Sequence, residues 1–411
     1  MRKIDNRKSK NEMQQRILIV LAMAINCNIS AFTQNIKINE VFGDAEKQTQ
    51  VMLREIPNAR STNLDLVSPR TLNNGELKLV ASRDWTSGFF PGVLWFLYEY
   101  SGKADWKKEA ESFTANMERE KFNGGTHDMG FKIYCSFGSG YRLTKNSAYR
   151  DIIIQSAKTL STRFRPITGT IRSWDHSGDK WAYPVIIDNM MNLELLFVAT
   201  KLTGDSSFYK IAVTHANTTM KNHFRPDNSS YHVVGYDTVT GNIIKKSTHQ
   251  GYADESAWSR GQAWGLYGYT MCYRFTRDKK YLDQAEKIAA FMLNHPNMPK
   301  DLVPYWDFNA PNIPNEERDA SAAAILASGL YELSTYSKEG KLYKEKANKI
   351  IESLTNNYRS PIGENKGFIL LHSTGSRPSK SEVDVPLSYA DYYYLEALFR
   401  CRILKKSKTL F

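Results

Sequence analysis

Two aspartates in short motifs, Asp128 in HDMGF (127–131) and Asp188 in DNMMN (188–192), are the residues of this chain best suited to moving protons. Around them stand Trp85 and Ser87 in RDWTSGFFPG (83–92), Trp258, Arg260, Gln262 and Trp264 in WSRGQAWG (258–265), and Arg318 and Asp319 in RDASA (318–322). Two carboxylates, an arginine and several tryptophans are, in outline, the equipment of a carbohydrate-processing site, with one carboxylate donating a proton and the other orienting substrate or water. Asp188 follows the apolar run VII (185–187) and precedes Met190 and Met191. Desolvation there raises a carboxyl pKa, while a helix N-terminus lowers it, and sequence does not say which wins. Aspartate is also a preferred helix N-cap, so Asp128, Asp188 and Asp319 all have capping as an alternative, which is favoured for Asp319.

The tryptophans divide in the same way. Trp95 and Trp306 read as core, whereas the Gly-flanked Trp85, Trp174, Trp258 and Trp264 offer faces on which a sugar ring stacks. No HExxH or comparable spacing surrounds His127 or His232, so each is a satisfied or substrate-contacting histidine rather than a metal ligand. His215 and His223 read as structural. The chain has no phosphate-binding glycine loop and no serine nucleophile elbow, and no cofactor is implied.

The elements that must position these residues show as a repeat. A turn is followed by an aromatic residue with an apolar partner four positions on, as in Trp106/Ala110, Tyr149/Ile153, Tyr209/Val213, Tyr281/Ala285 and Tyr343/Ala347. This is the spacing of one helix face. Each turn opens an amphipathic helix, near 38–56, 104–118, 147–163, 206–222, 279–294 and 340–357. Each is followed by a helix richer in small and apolar residues, near 88–100, 131–143, 190–202, 261–275, 320–336 and 387–401. Six helical hairpins that bury each other's apolar faces predict an all-α, (α/α)6 barrel. The six inner helices then run parallel, and their N-terminal ends share one mouth with the long loops 57–87, 164–186, 223–255, 295–317 and 358–386. Short strands are expected only near 168–172 and 230–236.

The chain has 411 residues, 41% of them hydrophobic, with a net charge of +12. Residues 1–33 read as a signal peptide: basic residues through Arg16, an apolar run from Ile17 to Ile25 too short to span a bilayer, then polar and small residues to Ala31. Asn26 is a poor residue to precede a lipidated cysteine, which argues against anchoring at Cys27. The expectation is an exported, periplasmic protein whose residues 34–411 form one catalytic domain. Its charge of +8, once six basic and two acidic residues are removed, favours acidic oligosaccharides. No aromatic-interleaved basic tract suggests nucleic acid. Cys135, Cys272 and Cys401 have no paired spacing and read as buried free thiols.

SGFFPG, HDMGF, DNMMN, the YHVV segment with Tyr231 and His232, QGY with Gln250, and SRGQAWG, in this order over about residues 38–402, resemble glycoside hydrolase family 88, the unsaturated glucuronyl hydrolases. The resemblance implies hydration of the C4=C5 double bond of a 4,5-unsaturated uronic acid at the non-reducing end of lyase-generated, glycosaminoglycan-type oligosaccharides. That bond is a vinyl ether: protonation at C4 gives an oxocarbenium-like C5 that water captures, and the hemiketal opens and expels the rest of the chain. By motif position Asp188 resembles the general acid and base and Asp128 the second carboxylate. The same resemblance sets Trp85, His127, Trp174, His232, Gln250, Trp258, Arg260 and Trp264 around the sugar. Rhamnogalacturonyl specificity, a conventional inverting glycosidase or epimerase, and a catalytically silent sugar-binding protein are the alternatives. Before the last inner helix, HSTGSRPSKSEVD (372–384) places Ser376, Arg377, Ser379, Lys380 and Ser381 where a sulfate on the neighbouring sugar would be met. The alternative is a solvated loop.

Overall fold

The computed structural model describes residues 37–176, 178 and 180–411. The expected signal peptide falls outside these residues.

The turns of the repeat decide where helices stop and start. In TKNSA, TGDSS and TRDKK a left-handed residue (Lys145, Gly204, Arg277) ends one helix, and the next residue (Asn146, Asp205, Asp278) caps the following one by accepting from the backbone N–H two positions on. Both halves of each turn satisfy backbone groups that a helix end leaves unpaired. The outer helices are α1 (Ile38–Arg60), α3 (Ala104–Ala115), α5 (Ser147–Ser161), α7 (Ser206–Asn222), α9 (Lys279–Asn294) and α11 (Gly340–Asn357). The inner ones are α2 (Phe89–Ser101), a π-helical stretch (Gly130–Gly138) that runs into α4 (Ser139–Thr144), α6 (Asn189–Thr203), α8 (Ser259–Thr276), α10 (Ala320–Leu333) and α12 (Ser388–Leu404). Each inner helix packs on the next and α12 packs on α2, so the ring closes as an (α/α)6 barrel.

Two of the inner-ring contacts depend on glycine. A Cβ on Gly88 would lie 2.3 Å from the carbonyl oxygens of Phe131 and Lys132, and one on Gly130 would lie 2.7 Å from the Cα of Asn192. Neither is tolerable, so these glycines let the SGFFPG, HDMGF and DNMMN segments touch backbone to backbone at the mouth. The three buried cysteines are free thiols.

Strands are more extensive than the sequence suggested. Loop 57–87 contains an antiparallel hairpin, β1 (Leu66–Asn73) with β2 (Glu76–Ala81), turned at Asn74–Gly75, where both residues have positive φ. Asn-Gly is the dipeptide that a two-residue hairpin turn demands, and it outweighs the weak alternation of the flanking residues. β3 (Phe164–Arg165) pairs with β4 (Thr170–Ile171), and β5 (Pro184–Ile186), β6 (Val233–Tyr236) and β7 (Ile243–Ser247) form an antiparallel sheet at the mouth.

Candidate active site

The register of the β5–β6–β7 sheet assembles the centre of the site. Ile186 pairs with Val233, and Ile187 N–H donates to His232 O, which brings His232 beside Asp188. Val233 pairs with Ser247, so the backbone N–H groups of His249 and Gln250 both reach His232 Nδ1 at 3.1 Å. A ring nitrogen that accepts two N–H bonds carries no proton, so in the neutral ring the proton sits on Nε2, 3.7 Å from Asp188 Oδ2. Burial, with His249 and Arg260 nearby, drives the His232 pKa well below its ordinary value and keeps the ring neutral.

Asp188 sits at the N-cap of α6 but makes no side-chain cap bond. Its side chain is 10% exposed, and Oδ2 has no hydrogen-bond partner among the described residues. Burial raises its pKa to about 7; Arg260 opposes the shift and Asp128 adds to it. Desolvation therefore outweighs the helix terminus, the question the sequence left open. Asp319 does the reverse. Its Oδ1 caps α10 by accepting from Ser321 and Ala322 N–H, and its Oδ2 takes Arg260 Nη1 at 2.6 Å.

Asp128 is half-buried two residues before the π-helical stretch, an irregularity that recurs at functional sites. It accepts from Thr126 Oγ1 (2.6 Å) and lies 3.2 Å from His127 Nε2. Thr126 bridges to Trp174, and His127 N–H donates to Ser173 O, which carries the Trp174 indole to this side of the mouth. Asn192, which the sequence did not single out, ties the two aspartate motifs together by accepting Phe131 N–H at 3.1 Å.

The remaining expected site residues take different places. Trp85 is half-buried and contacts Phe89, Phe131 and Tyr389. Trp258 lies 4.5 Å from the His232 ring and under the Arg260 guanidinium. Trp264 is fully buried, so it forms the floor rather than an open stacking face. Its indole nitrogen, like that of Trp174, has no partner among the described residues. Arg260 is also buried, and its fork is taken by Asp319, Thr374 O and Gly375 O, so it braces the mouth and biases Asp188 electrostatically. Gln250 Nε2 donates to Gly375 O. In the 372–384 loop Ser376 pairs with Ser379 through their hydroxyls, Arg377 pairs with Glu317, and Lys380 is exposed.

Buried polar groups are nearly always partnered, so Asp188 Oδ2, His232 Nε2 and the two indole N–H groups mark where a polar ligand belongs. Chemically this is a carboxylic acid that holds its proton to near neutrality, beside a second carboxylate and aromatic walls. A reaction that uses the Asp188 proton should slow as pH rises through about 7, read as kcat against pH. A profile flat from about pH 6 to about pH 9 would remove Asp188 from that role. Stability should decline over the interval between the ordinary carboxyl value and about 7, because the folded state then holds more protons than the unfolded chain. Asp391 is likewise raised to about 7 by burial and adds to that slope without touching the chemistry.

A separate cavity of about 370 Å³ lies between the inner helices, lined by Tyr134, Glu194, Tyr267, Arg274, Glu396 and Arg400 among others. Its charges pair with each other, Arg274 with Glu194 and Arg400 with Glu396, and neither aspartate reaches it.

Comparison with known proteins follows the same outline. Residues 64–398 match Glycosyl Hydrolase Family 88. The chain is 54% identical over 323 residues, 78% of its length and 80% of the relative's, to an unsaturated glucuronyl hydrolase of Formosa agariphila. It is 34% identical over 344 residues, 82% and 86% of the two lengths, to an unsaturated chondroitin disaccharide hydrolase of Streptococcus pneumoniae. Among solved structures, an unsaturated glucuronyl hydrolase specific for heparin superposes with a TM-score of 0.83 at 48% identity, covering 89% of this chain and 99% of that one.

Proposed function

The chain belongs to glycoside hydrolase family 88, and on that premise we propose that it removes the 4,5-unsaturated uronic acid from glycosaminoglycan oligosaccharides by hydrating the C4=C5 bond. Asp188 gives its proton to C4, positive charge develops at C5 and the ring oxygen, and water adds to C5 while returning a proton to Asp188. The hemiketal then opens and releases the rest of the oligosaccharide. Asp128 holds the ring and, as a neighbouring negative charge, helps keep Asp188 protonated. Trp85 and Trp174 flank the sugar, His232 and Trp264 present N–H groups to it, and Arg260 and Gln250 hold the wall formed by Gly375. The observation that carries this assignment is Asp188 itself: buried, not used as a cap, and protonated near neutrality. The same proposal has the protein exported to the periplasm, on the strength of residues 1–33, where lyase products of acidic polysaccharide would be met.

The conjugated double bond absorbs in the ultraviolet, and only its hydration removes that signal. Purified protein should bleach unsaturated disaccharides; release of sugar with the absorbance intact would instead support a conventional glycosidase. Heparin-type and chondroitin-type disaccharides should both be offered, since relatives carry both names. We propose further that the 372–384 loop meets a sulfate on the neighbouring sugar. Replacing Arg377 and Lys380 by Ala should raise KM for a sulfated disaccharide much more than for its unsulfated counterpart, with Lys380 dominating because Arg377 is already paired with Glu317. Equal effects on both substrates would leave the loop merely solvated.

A further inference from the structure

One arginine outside every motif joins two walls of the mouth. Arg70, on β1, donates from Nε to Glu382 Oε1 (2.5 Å) and from Nη2 to Glu382 Oε2 (2.9 Å), and its third nitrogen, Nη1, reaches Asp84 Oδ2 at 2.7 Å. The Glu382 side chain is 7% exposed and that of Arg70 19%, so this fork is largely shielded from water. Two parallel charge-assisted bonds fix direction as well as distance.

Both partners lead to the sugar site. Glu382 belongs to the 372–384 loop: its carbonyl accepts Gly375 N–H at 2.6 Å, and its carboxylate packs where a Cβ on Gly375 would stand, 2.6 Å away. Gly375 O in turn accepts from Arg260 and Gln250. Asp84 immediately precedes Trp85, and its Oδ1 accepts both the backbone N–H and the hydroxyl of Thr86, which sets the turn that aims the indole. The hairpin is itself anchored, because Thr71 bridges to Leu387 and donates to Pro386 O at the start of α12.

We infer that Arg70 is a positioning residue that fixes the separation between the Trp85 wall and the Gly375 wall, and thereby sets how tightly the oligosaccharide is held. It rests on the assignment of Trp85, Gln250 and the 372–384 loop to the sugar site. A misplacement on the order of 1 Å in such walls costs about 10²-fold, and here it falls on binding rather than on the proton transfer.

The test uses the full chain with Arg70→Gln, Arg70→Lys, Glu382→Gln and the Arg70→Gln/Glu382→Gln pair, assayed by loss of ultraviolet absorbance, with thermal unfolding alongside. Arg70→Gln should lower kcat/KM by about 10²-fold, mostly through KM. Lysine, a point charge without a fork, should recover only part of the loss. The double variant should be no worse than its worse single, because both remove one coupling. Should Arg70→Gln fail to fold, Glu382→Gln, which leaves the Asp84 pair in place, must still raise KM. Parental kinetics in the folded variants, or a fall in Tm and kcat with KM unchanged, would overturn the inference. Asp188→Asn is the control. If it stays active the site assignment itself has failed, whereas an inactive Asp188→Asn beside a parental Arg70→Gln rejects the clamp alone.

Discussion

Asp188→Asn should fold normally and lose turnover on an unsaturated disaccharide by at least the ~10²- to 10⁴-fold typical of a lost general acid. The amide keeps the shape of the carboxyl but has no proton to give at C4 and no basic oxygen to take one from water. Two further readouts separate this from general damage. The variant should be more stable than the parent above about pH 7, where the parent holds a buried carboxylate with no hydrogen bond to Oδ2 and the amide carries no charge to desolvate. Asp128→Asn should also be severely impaired, and because Asp128 helps keep Asp188 protonated, the double variant should fall short of the product of the two losses. Turnover like the parent's in Asp188→Asn would sink the mechanism whatever else held.

Arg274→Met should be the most damaging substitution for stability, at about 3–5 kcal/mol, the usual cost of breaking a buried ion pair from one side. Arg274 Nη1 meets Glu194 at 2.9 Å and Nε meets Glu332 at 2.9 Å, while Glu332 reaches on to Arg400 at 3.2 Å. Removing Arg274 takes from Glu194 the arginine it pairs with and leaves Glu332 with Arg400, which Glu396 also engages. Burial already raises the Glu194 pKa against the opposing charge of Arg274, and without that arginine it would rise further, so the deficit should be larger at about pH 8 than at about pH 5. Denaturant unfolding at both pH values measures it. A loss below about 1 kcal/mol, or one independent of pH, would mean that the cavity admits enough water to solvate the carboxylates.

The barrel was legible because its signal is local. Trp106, Tyr281 and Tyr343 with their alanine partners are buried as the repeat requires, and the turns before Tyr149, Tyr209 and Tyr281 each hold both a left-handed residue and a cap within two positions. Tyr149 and Tyr209 are only half-buried, in the repeats where the spacing was least regular. The β1–β2 hairpin carried a local signal as well, Asn74–Gly75, which the sequence analysis did not use. What sequence did not carry are the long-range effects. Whether Asp188 caps or is desolvated depends on burial and on Arg260 and Asp128, which lie far from it in sequence, and the strand register adds His232 alongside. Arg260 looked available to a sugar because the carbonyls that occupy it, Thr374 O and Gly375 O, lie 114 and 115 residues away. Trp264 looked peripheral beside glycines, yet the closed ring puts Phe131 and Tyr393 against it and seals it in the floor.

The packing of α12 on α2 has a consequence for the order in which the protein comes to life. An open stack of helical hairpins gains stability with each unit made, and a shortened stack is still a stack. A ring lacking its last hairpin is a trough: the apolar faces of α2 and α10 lie bare at its two lips until α12 spans them. The carbonyls of Thr374 and Gly375, the carboxylate of Glu382 and the bridge from Thr71 to Leu387 all arrive with that final stretch of chain. A nascent chain that already contains both aspartates therefore has no finished pocket in which to use them, and the sticky lips are what chaperones would have to cover. Catalytic competence appears at a single late moment, when the ring shuts.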